Sequence, residues 1–144
     1  MELALRPESS GQQMQAAGQR LPDVPSSAIF NKIQQTALEC LTDSDYQVMG
    51  GKRFIKKSGW RRLAMYFGIS LEIRSSNEVC DPNGNIQRAT FVVRGTMASG
   101  RFSDAYGSCD RGEKRFTAPN RDVPATAETR AASRAIQSLL GISE

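Results

Sequence analysis

The chain has 144 residues, of which 39% are hydrophobic and 24% charged, and this fits one globular domain with its own core. It has no histidine and three cysteines, Cys40, Cys80 and Cys109, without a CxxC pair, which argues against a His-based catalytic site, a structural zinc site and a disulfide framework. The net charge is +4, and no apolar run approaches the length of a membrane span, so we expect an anionic partner and no membrane.

The first 25 residues are rich in Gln, Gly, Ser and Pro and have no sustained hydrophobic period. We expect a flexible N-terminal arm over 1–25, followed by a single domain over 26–144. Ser26 or Ser27 can cap a first helix that runs to about Leu41. The apolar side chains of this helix share one face, for which we expect ordinary core packing. They are Ala28, Ile29, Ile33, Ala37 and Leu41, with Phe30 and Leu38 at the margins.

A β-hairpin is predicted next. The runs 46–49 and 52–55 have strand composition and flank two glycines, a pair that favours a tight two-residue turn. A short helix follows, with Ser58 as its predicted N-cap and Gly68 as the left-handed residue that ends it. Its apolar positions, spaced i, i+3, i+4 and i+7, predict one buried stripe. They are Trp60, Leu63, Ala64 and Phe67.

Positive charge is concentrated around this helix. The segment 56–74 contains five basic residues and one acid, a surplus that equals the net charge of the whole chain. Such clustering indicates an anionic partner, and nucleic acid is the commonest one. The alternative is a solvated helix start, although cations near a helix N-terminus oppose the helix dipole.

Three further strands are predicted downstream of Gly68. Alternating apolar residues predict a half-buried strand over 69–74, a second strand over 89–97 and a third over 101–109. Turn sequences separate the three strands, so they should form an antiparallel meander.

The last predicted element is a long helix after a polar loop over 110–120. It starts near Asp122, has Pro124 in its first turn and ends at Gly141. Alanines make one side small, so the helix can lie close against a sheet. A polar stripe lies on another side of the helix and consists of Arg130, Arg134 and Gln137. These side chains are either part of a binding surface or an ordinary solvated surface.

Together the elements predict an α+β fold. A three-stranded antiparallel sheet and a β-hairpin should pack on helices, with the core order β-β-α-β-β-β-α. The sequence has no nucleotide-binding glycine motif and no evident pair of acid/base carboxylates. We therefore expect a protein that is not an enzyme and that uses no cofactor and no metal.

Basic residues form three groups with aromatic residues interleaved. Basic grooves with aromatics suit single-stranded nucleic acid, where backbone charge and base stacking supply the affinity. The predicted DNA-binding residues are Lys52, Arg53, Lys56, Lys57, Arg61, Arg62, Lys114, Arg115, Arg130 and Arg134, with Arg111 and Arg121 as basic neighbours. Tyr66 and Phe116 are the candidates for base stacking, because Trp60 and Phe67 are assigned to the core.

Several motifs occur in an order that resembles a known family. They are an apolar helix within 55–68 whose Leu-Ala pair precedes a final Phe-Gly, the strand 91–94, the strand 102–107 with the loop 111–114, and the long helix 125–141. Because these motifs occur in this order over about residues 46–141, the chain resembles the Rad fifty-two family of single-strand annealing proteins. That family belongs to a wider group with phage recombination proteins and the mitochondrial genome maintenance protein.

The resemblance implies an oligomeric ring that binds single strands in a basic groove between the hairpin and the helical body. It also implies annealing of complementary strands without nucleotide hydrolysis. The long helix of the family carries a Lys-Arg-x-x-Arg run that faces the DNA, and at the matching positions 133–137 only Arg134 is charged here. Arg130, one turn earlier, is the candidate replacement for the missing charge.

We therefore expect single-stranded DNA binding and ATP-independent annealing in homologous recombination or DNA repair, by a homo-oligomer with replication or recombination proteins as further partners. The expected location is cytoplasmic or nucleoid-associated, with an organelle as the alternative, although no clear transit peptide is present. Two other functions stay open: a basic module that docks an acidic protein, and a nuclease. The lack of histidine and of clustered acidic residues argues against the nuclease.

Overall fold

A computed structural model describes residues 26–142. The chain forms two units, Met1–Ile33 and Gln34–Glu144, so that the boundary falls inside the first helix. The predicted arm over residues 1–25 lies outside the described residues.

The order of elements matches the predicted α+β fold. The helices and strands are α1 (Ser27–Glu39), β1 (Tyr46–Met49), β2 (Lys52–Ile55), α2 (Lys57–Tyr66), β3 (Ser70–Cys80), β4 (Ile86–Thr96), β5 (Phe102–Asp110) and α3 (Pro119–Leu140). Two single-turn 3₁₀ helices complete the fold: η1 (Asp43–Asp45) and η2 (Arg111–Glu113). Strands β1 and β2 form an antiparallel hairpin, and β3, β4 and β5 form a separate antiparallel sheet in that order.

The hairpin is confirmed with the predicted bounds and turn. Met49 pairs with Lys52, and the two residues between them, Gly50 and Gly51, have φ angles of 58° and 79°. A two-residue turn with both residues in the left-handed region matches the twist of the strands, and glycine adopts it without a steric penalty.

Helix α2 starts two residues earlier than its predicted cap implies. Lys56 is the N-cap, so the prediction for Ser58 is wrong. The hydroxyl of Ser58 donates instead to Asp45 Oδ1 at 2.9 Å, because a buried carboxylate lies within its reach. The predicted end is confirmed: α2 stops at Tyr66, and Gly68 has a φ of 65°.

The predicted stripe of α2 forms part of a core. Trp60, Leu63 and Ala64 are buried, and Phe67 packs against them from a half-buried position. Ile136 and Leu139 of α3 belong to the same cluster, so this core joins α2 to the last helix. A second, smaller cluster lies between α3 and the sheet and consists of Ile86, Ala89, Cys109, Val123 and Ala127.

Strand β3 is the element whose environment differs most from the prediction. Every one of its residues is exposed, and the strand extends to Cys80 rather than ending at Arg74. It is an edge strand of the sheet, while α3 packs across β4 and β5. The predicted strand is therefore confirmed, but its expected half-burial is wrong, because no helix among the described residues covers β3. Its side chains Leu71 and Ile73 are 43% and 50% exposed.

Helix α1 is confirmed as a helix, but the packing expected for its apolar face is largely wrong. Ser26 Oγ accepts a hydrogen bond from the amide of Ile29, as an N-cap does. Only Ala37 of the apolar face is buried, whereas Ile29 and Phe30 are 56% and 42% exposed. An apolar stripe predicts that a face will be covered and does not identify what covers it.

Helix α3 starts earlier than predicted and packs as expected. It begins at Pro119, a favourable first position for proline, so that Pro124 lies in the second turn. It ends at Gly141, whose φ is 68°. A Cβ on Gly107 of β5 would lie 2.6 Å from the carbonyl oxygen of Ala127 and nearer still to the amide nitrogen of Ala131. The close approach of helix and sheet therefore depends on a residue without a side chain.

Within residues 26–142, no helix combines the length and the apolar character that crossing a membrane requires. The three cysteines are free thiols: Cys109 is buried, Cys40 half-buried and Cys80 exposed.

Candidate nucleic-acid interface

A groove of about 740 Å³ runs between the hairpin with the start of α2 on one side and the segment from η2 into α3 on the other. Six of its lining residues are lysine or arginine, and one is acidic, Asp122. The six cations come from three separate parts of the chain: Lys56 and Lys57, Lys114 and Arg115, and Arg130 and Arg134. The fold therefore collects one residue pair from each of the three predicted basic groups.

The hairpin contributes one apolar wall. In β2, Phe54 pairs with Gln47 of β1, and Lys52 pairs with Met49, so these four side chains share one face of the hairpin. Phe54, Gln47 and Met49 line the groove. The ammonium of Lys52 lies 5.9 Å from the centroid of the Phe54 ring, at the margin of the same wall.

A buried carboxylate fixes the start of α2, where Lys56 and Lys57 stand exposed. Asp45 is 1% exposed and accepts hydrogen bonds from the amide and hydroxyl of Thr42, the hydroxyl of Ser58 and Nε of Arg62. The Thr42 amide is the main cause that lowers the pKa of Asp45 to about 2, opposed by burial and helped by the hydroxyls and Arg62. The Asp45 carbonyl also accepts the amide of Lys56 at 2.7 Å. Asp45 thus joins η1, the end of β2 and the first turn of α2.

Helix α3 forms the floor of the groove. The lining residues of α3 run from Asp122 to Gln137, a rise of about 22 Å at ~1.5 Å per residue. Neutral polar residues on successive turns accompany the arginines: Thr126, Thr129, Ser133 and Gln137. Arg134 Nη1 donates to the carbonyl of Tyr106 at 2.9 Å, and the side chain remains exposed. The floor therefore offers hydroxyl, amide and guanidinium donors in one line.

The segment after η2 forms the opposite wall. Lys114, in extended conformation, directly follows η2, and its ammonium lies 5.4 Å from the centroid of the Phe116 ring. Phe116 is half-buried against the smaller core cluster and lines the groove. This wall combines two cations, Lys114 and Arg115, with an aromatic ring.

The two arginines of α3 that line the groove differ in their partners. Arg130 makes a two-pronged ion pair with Glu113, and its Nη2 lies 2.8 Å from Oε1. No carboxylate of residues 26–142 pairs with the other five groove cations. They are Lys56, Lys57, Lys114, Arg115 and Arg134.

Four predicted binding cations lie outside the groove lining. Lys52 stands at the hairpin margin, and Arg61 is exposed on α2. Arg53 lies on the other face of the hairpin, stacked 3.8 Å from the Tyr46 ring centroid and 3.6 Å from Asp43. Arg62 donates its Nε to Asp45 at 3.0 Å and is 50% exposed, so its phosphate contact stays a prediction.

Of the two residues predicted to stack on bases, one lines the groove and the other does not. Phe116 lines the groove, whereas Tyr66 lies outside its lining, 61% exposed on α2 and edge-on to Phe67. The basic neighbours Arg111 and Arg121 are also outside. Arg111 donates to the carbonyl of Ile86 and to Asn120, and Arg121 pairs with Asp122.

Some groove residues were not identified from the sequence. Phe54 alternates with Arg53 along β2 and so shares a face with Lys52, a signal that strand periodicity contains. Thr126 lies four positions before Arg130 and Ser133 three positions after it, spacings that place side chains on one side of a helix. Gln47 and Met49 lie opposite Phe54 and Lys52, a register that the predicted two-residue turn already implies.

The sheet has a second charged surface on its outer face, the one opposite α3. There Arg94 makes a two-pronged pair with Asp104 at 2.8 and 3.0 Å and lies 4.1 Å from the Phe102 ring centroid. The hydrogen bond from Arg94 is the main cause that lowers the pKa of Asp104. Arg88 pairs with Asp110 across the same strands at 3.3 Å.

Comparison with known proteins gives no relative for this chain: no protein-family model matches it, and no curated protein is significantly similar. Among residues 26–142, no three Cys, Asp or Glu side chains are grouped closely enough to hold a metal ion.

Proposed function

We propose that this protein binds single-stranded DNA in the groove and anneals complementary strands without ATP, as a homo-oligomeric ring that acts in recombination or repair. The observation that carries the proposal is the convergence of five cations on one groove from three distant segments. None of the five pairs with a carboxylate of residues 26–142. Lysine and arginine side chains that neutralise phosphates release the counterions condensed on the strand, and this release drives binding.

The aromatic residues of the groove favour a single strand over a duplex. Phe54 on one wall and Phe116 on the other present ring surfaces inside a basic groove. Stacking of unpaired bases on aromatic rings is tolerant of sequence, as annealing of arbitrary strands requires. The stacked bases of a duplex would leave these rings without partners.

Exposed apolar surface supports the oligomeric part of the proposal. The edge strand β3 carries Leu71, Ile73 and Val79 at 43%, 50% and 53% exposure, and Leu38 of α1 is 47% exposed. Exposed apolar side chains along a strand whose free edge pairs with no other strand of residues 26–142 indicate a protein contact. A second copy of the chain is the proposed occupant, and the molar mass from light scattering would show it as a multiple of 15.8 kDa.

The experiment that tests the proposal measures how fast two labelled complementary strands pair, with and without the protein, in the absence of ATP and metal. The proposal predicts strong acceleration at stoichiometric protein. Salt-sensitive strand binding without acceleration would contradict annealing and leave a passive binding protein. If oligonucleotides fail to bind while an acidic protein does, the groove serves a protein partner instead.

A further inference from the structure

One acidic side chain holds an arginine at the floor of the groove. Arg130 Nη2 lies 2.8 Å from Glu113 Oε1, and Nη1 donates to Oε2 at 3.2 Å and to the carbonyl of Ser108 at 2.8 Å. We propose that Glu113 takes the place of a phosphate on Arg130 and thereby limits the affinity of the groove for single-stranded nucleic acid. This inference rests on the function proposed above.

Glu113 is fixed in place and charged. It lies in η2, where its Oε2 accepts the amide of Asp110 at 2.9 Å. The hydrogen bond from Arg130 is the main cause that lowers the pKa of Glu113 to about 2, and the Asp110 amide is the second. At neutral pH the carboxylate is therefore ionised, and it neutralises Arg130 inside a groove whose other five cations pair with no carboxylate of residues 26–142.

The geometry of the pair makes it a competitor of phosphate. A guanidinium presents its donors as a planar fork, and carboxylate and phosphate accept from that fork in the same two-pronged way. Glu113 and the Ser108 carbonyl together use both terminal nitrogens of Arg130. A phosphate that approaches Arg130 must displace or share Glu113, whereas Arg134 on the next turn has no carboxylate to displace within residues 26–142.

A groove that holds its strand less tightly suits an annealing protein. The strand must be bound long enough to be extended and must leave as a duplex once its complement pairs. An internal carboxylate lowers the affinity without removing any cation from the chain, so the balance between capture and release is set by one ion pair.

The first test variant is Glu113→Gln, which keeps the shape and still accepts the Asp110 amide but has no charge. Its matched control is Glu128→Gln, which removes the same charge from an exposed position of α3 that does not line the groove. Affinity for a labelled oligothymidine is measured over a salt series. We expect E113Q to bind about fivefold tighter, the size of one unit-charge repulsion across about 4 Å of water.

The salt dependence distinguishes a new phosphate contact from a general change of charge. Each contacted phosphate adds about 0.7 to the slope of log affinity against log salt for single strands. E113Q should therefore steepen the slope by about 0.7, while E128Q leaves it unchanged. A folded E113Q with wild-type affinity and slope would overturn the inference.

Arg130→Gln is the second variant and decides the question even if E113Q fails to fold. If Glu113 occupies Arg130, this change weakens binding by exposing an unpaired carboxylate but leaves the salt slope unchanged. A slope lower by about 0.7 would show that Arg130 binds a phosphate directly and would overturn the inference. If the wild-type protein binds no single strand, both proposals are overturned. If the wild type binds but the two variants do not change affinity and salt slope as predicted, only the inference about Glu113 is overturned.

Discussion

Arginines occupy both the groove and the outer face of the sheet, but their partners differ. On the outer face, Arg94 and Arg88 are matched by Asp104 and Asp110 on the neighbouring strand. In the groove, five cations have no carboxylate partner among residues 26–142, and only Arg130 does. The pairing of cations, rather than their number, therefore distinguishes a surface that can bind an anion from one that holds a sheet together.

The largest expected effect concerns the frame of the groove. Gly107→Ala would place a Cβ against the backbone of α3, which cannot yield as a flexible side chain does. We expect the free energy of unfolding to fall by about 3 kcal/mol, as overpacking of this severity does. Chemical denaturation measures the change.

Gly112→Ala is the matched control, since a Cβ on Gly112 meets nothing within 4 Å. It should leave stability within about 0.5 kcal/mol of the wild type. Equal stability of the two variants would mean that α3 does not lie as close to β5 as described.

The second effect concerns the difference between the groove and the outer face of the sheet. Lys56→Ala with Lys57→Ala should weaken binding of a single strand about 25-fold, at about 1 kcal/mol per unit charge near a phosphate. It should also lower the salt slope by about 1.4, because two phosphate contacts are lost. Arg74→Ala with Arg88→Ala removes two paired cations outside the groove and should change the slope little. A larger effect of the second pair would move the binding surface to the outer face.

The third effect concerns acid stability. The pKa of Asp45 is about 2 in the folded protein and 3.8 for the ordinary side chain, so its contribution is complete above about pH 4. It is lost as the pH falls from about 4 towards 2, because the unfolded chain then binds the proton more readily. Asp45→Asn should therefore flatten the decline of the unfolding free energy over this range. Part of the decline in unfolding free energy should remain in this variant, because Glu113, whose pKa is also about 2, still titrates there. An unchanged decline in Asp45→Asn would contradict the central position given to this carboxylate.

The smallest effect concerns stacking. Phe116→Leu keeps an apolar side chain in the smaller core but removes the ring, and should weaken strand binding about fivefold, the lower end for loss of one stacked base. Tyr66→Leu, outside the groove, should leave binding unchanged. Fluorescence anisotropy with one labelled strand compares the two variants, and a greater loss with Tyr66→Leu would place the strand on α2 instead.

The local fold was largely predictable because local signals agree with each other. The glycine pair fixes the hairpin turn, and the spacing of Trp60, Leu63 and Ala64 fixes the buried side of α2. The exposure of β3 was not predictable in the same way. Alternation identifies a strand and its two faces, but which strands α3 covers depends on how far the helix reaches across the sheet.

The charged residues of the site could be predicted from the sequence, but the ion pairs that they form could not. Lys56, Lys57 and Arg134 could be selected as basic residues near a helix. That Arg62 is held by Asp45, 17 positions earlier in the chain, depends on a tertiary contact. The same holds for Arg130 and Glu113, which also lie 17 positions apart. Sequence shows which side chains are charged, and only the fold shows which charges are already matched.

The most direct test of the account asks where a bound strand lies. A photoreactive oligothymidine is cross-linked to the wild-type protein, and the modified residues are identified by mass spectrometry. We expect cross-links at Phe54 and Phe116, on the two walls of the groove. Cross-links at Phe102, which is exposed on the outer face of the sheet beside Arg94, with none at Phe54 or Phe116, would contradict it.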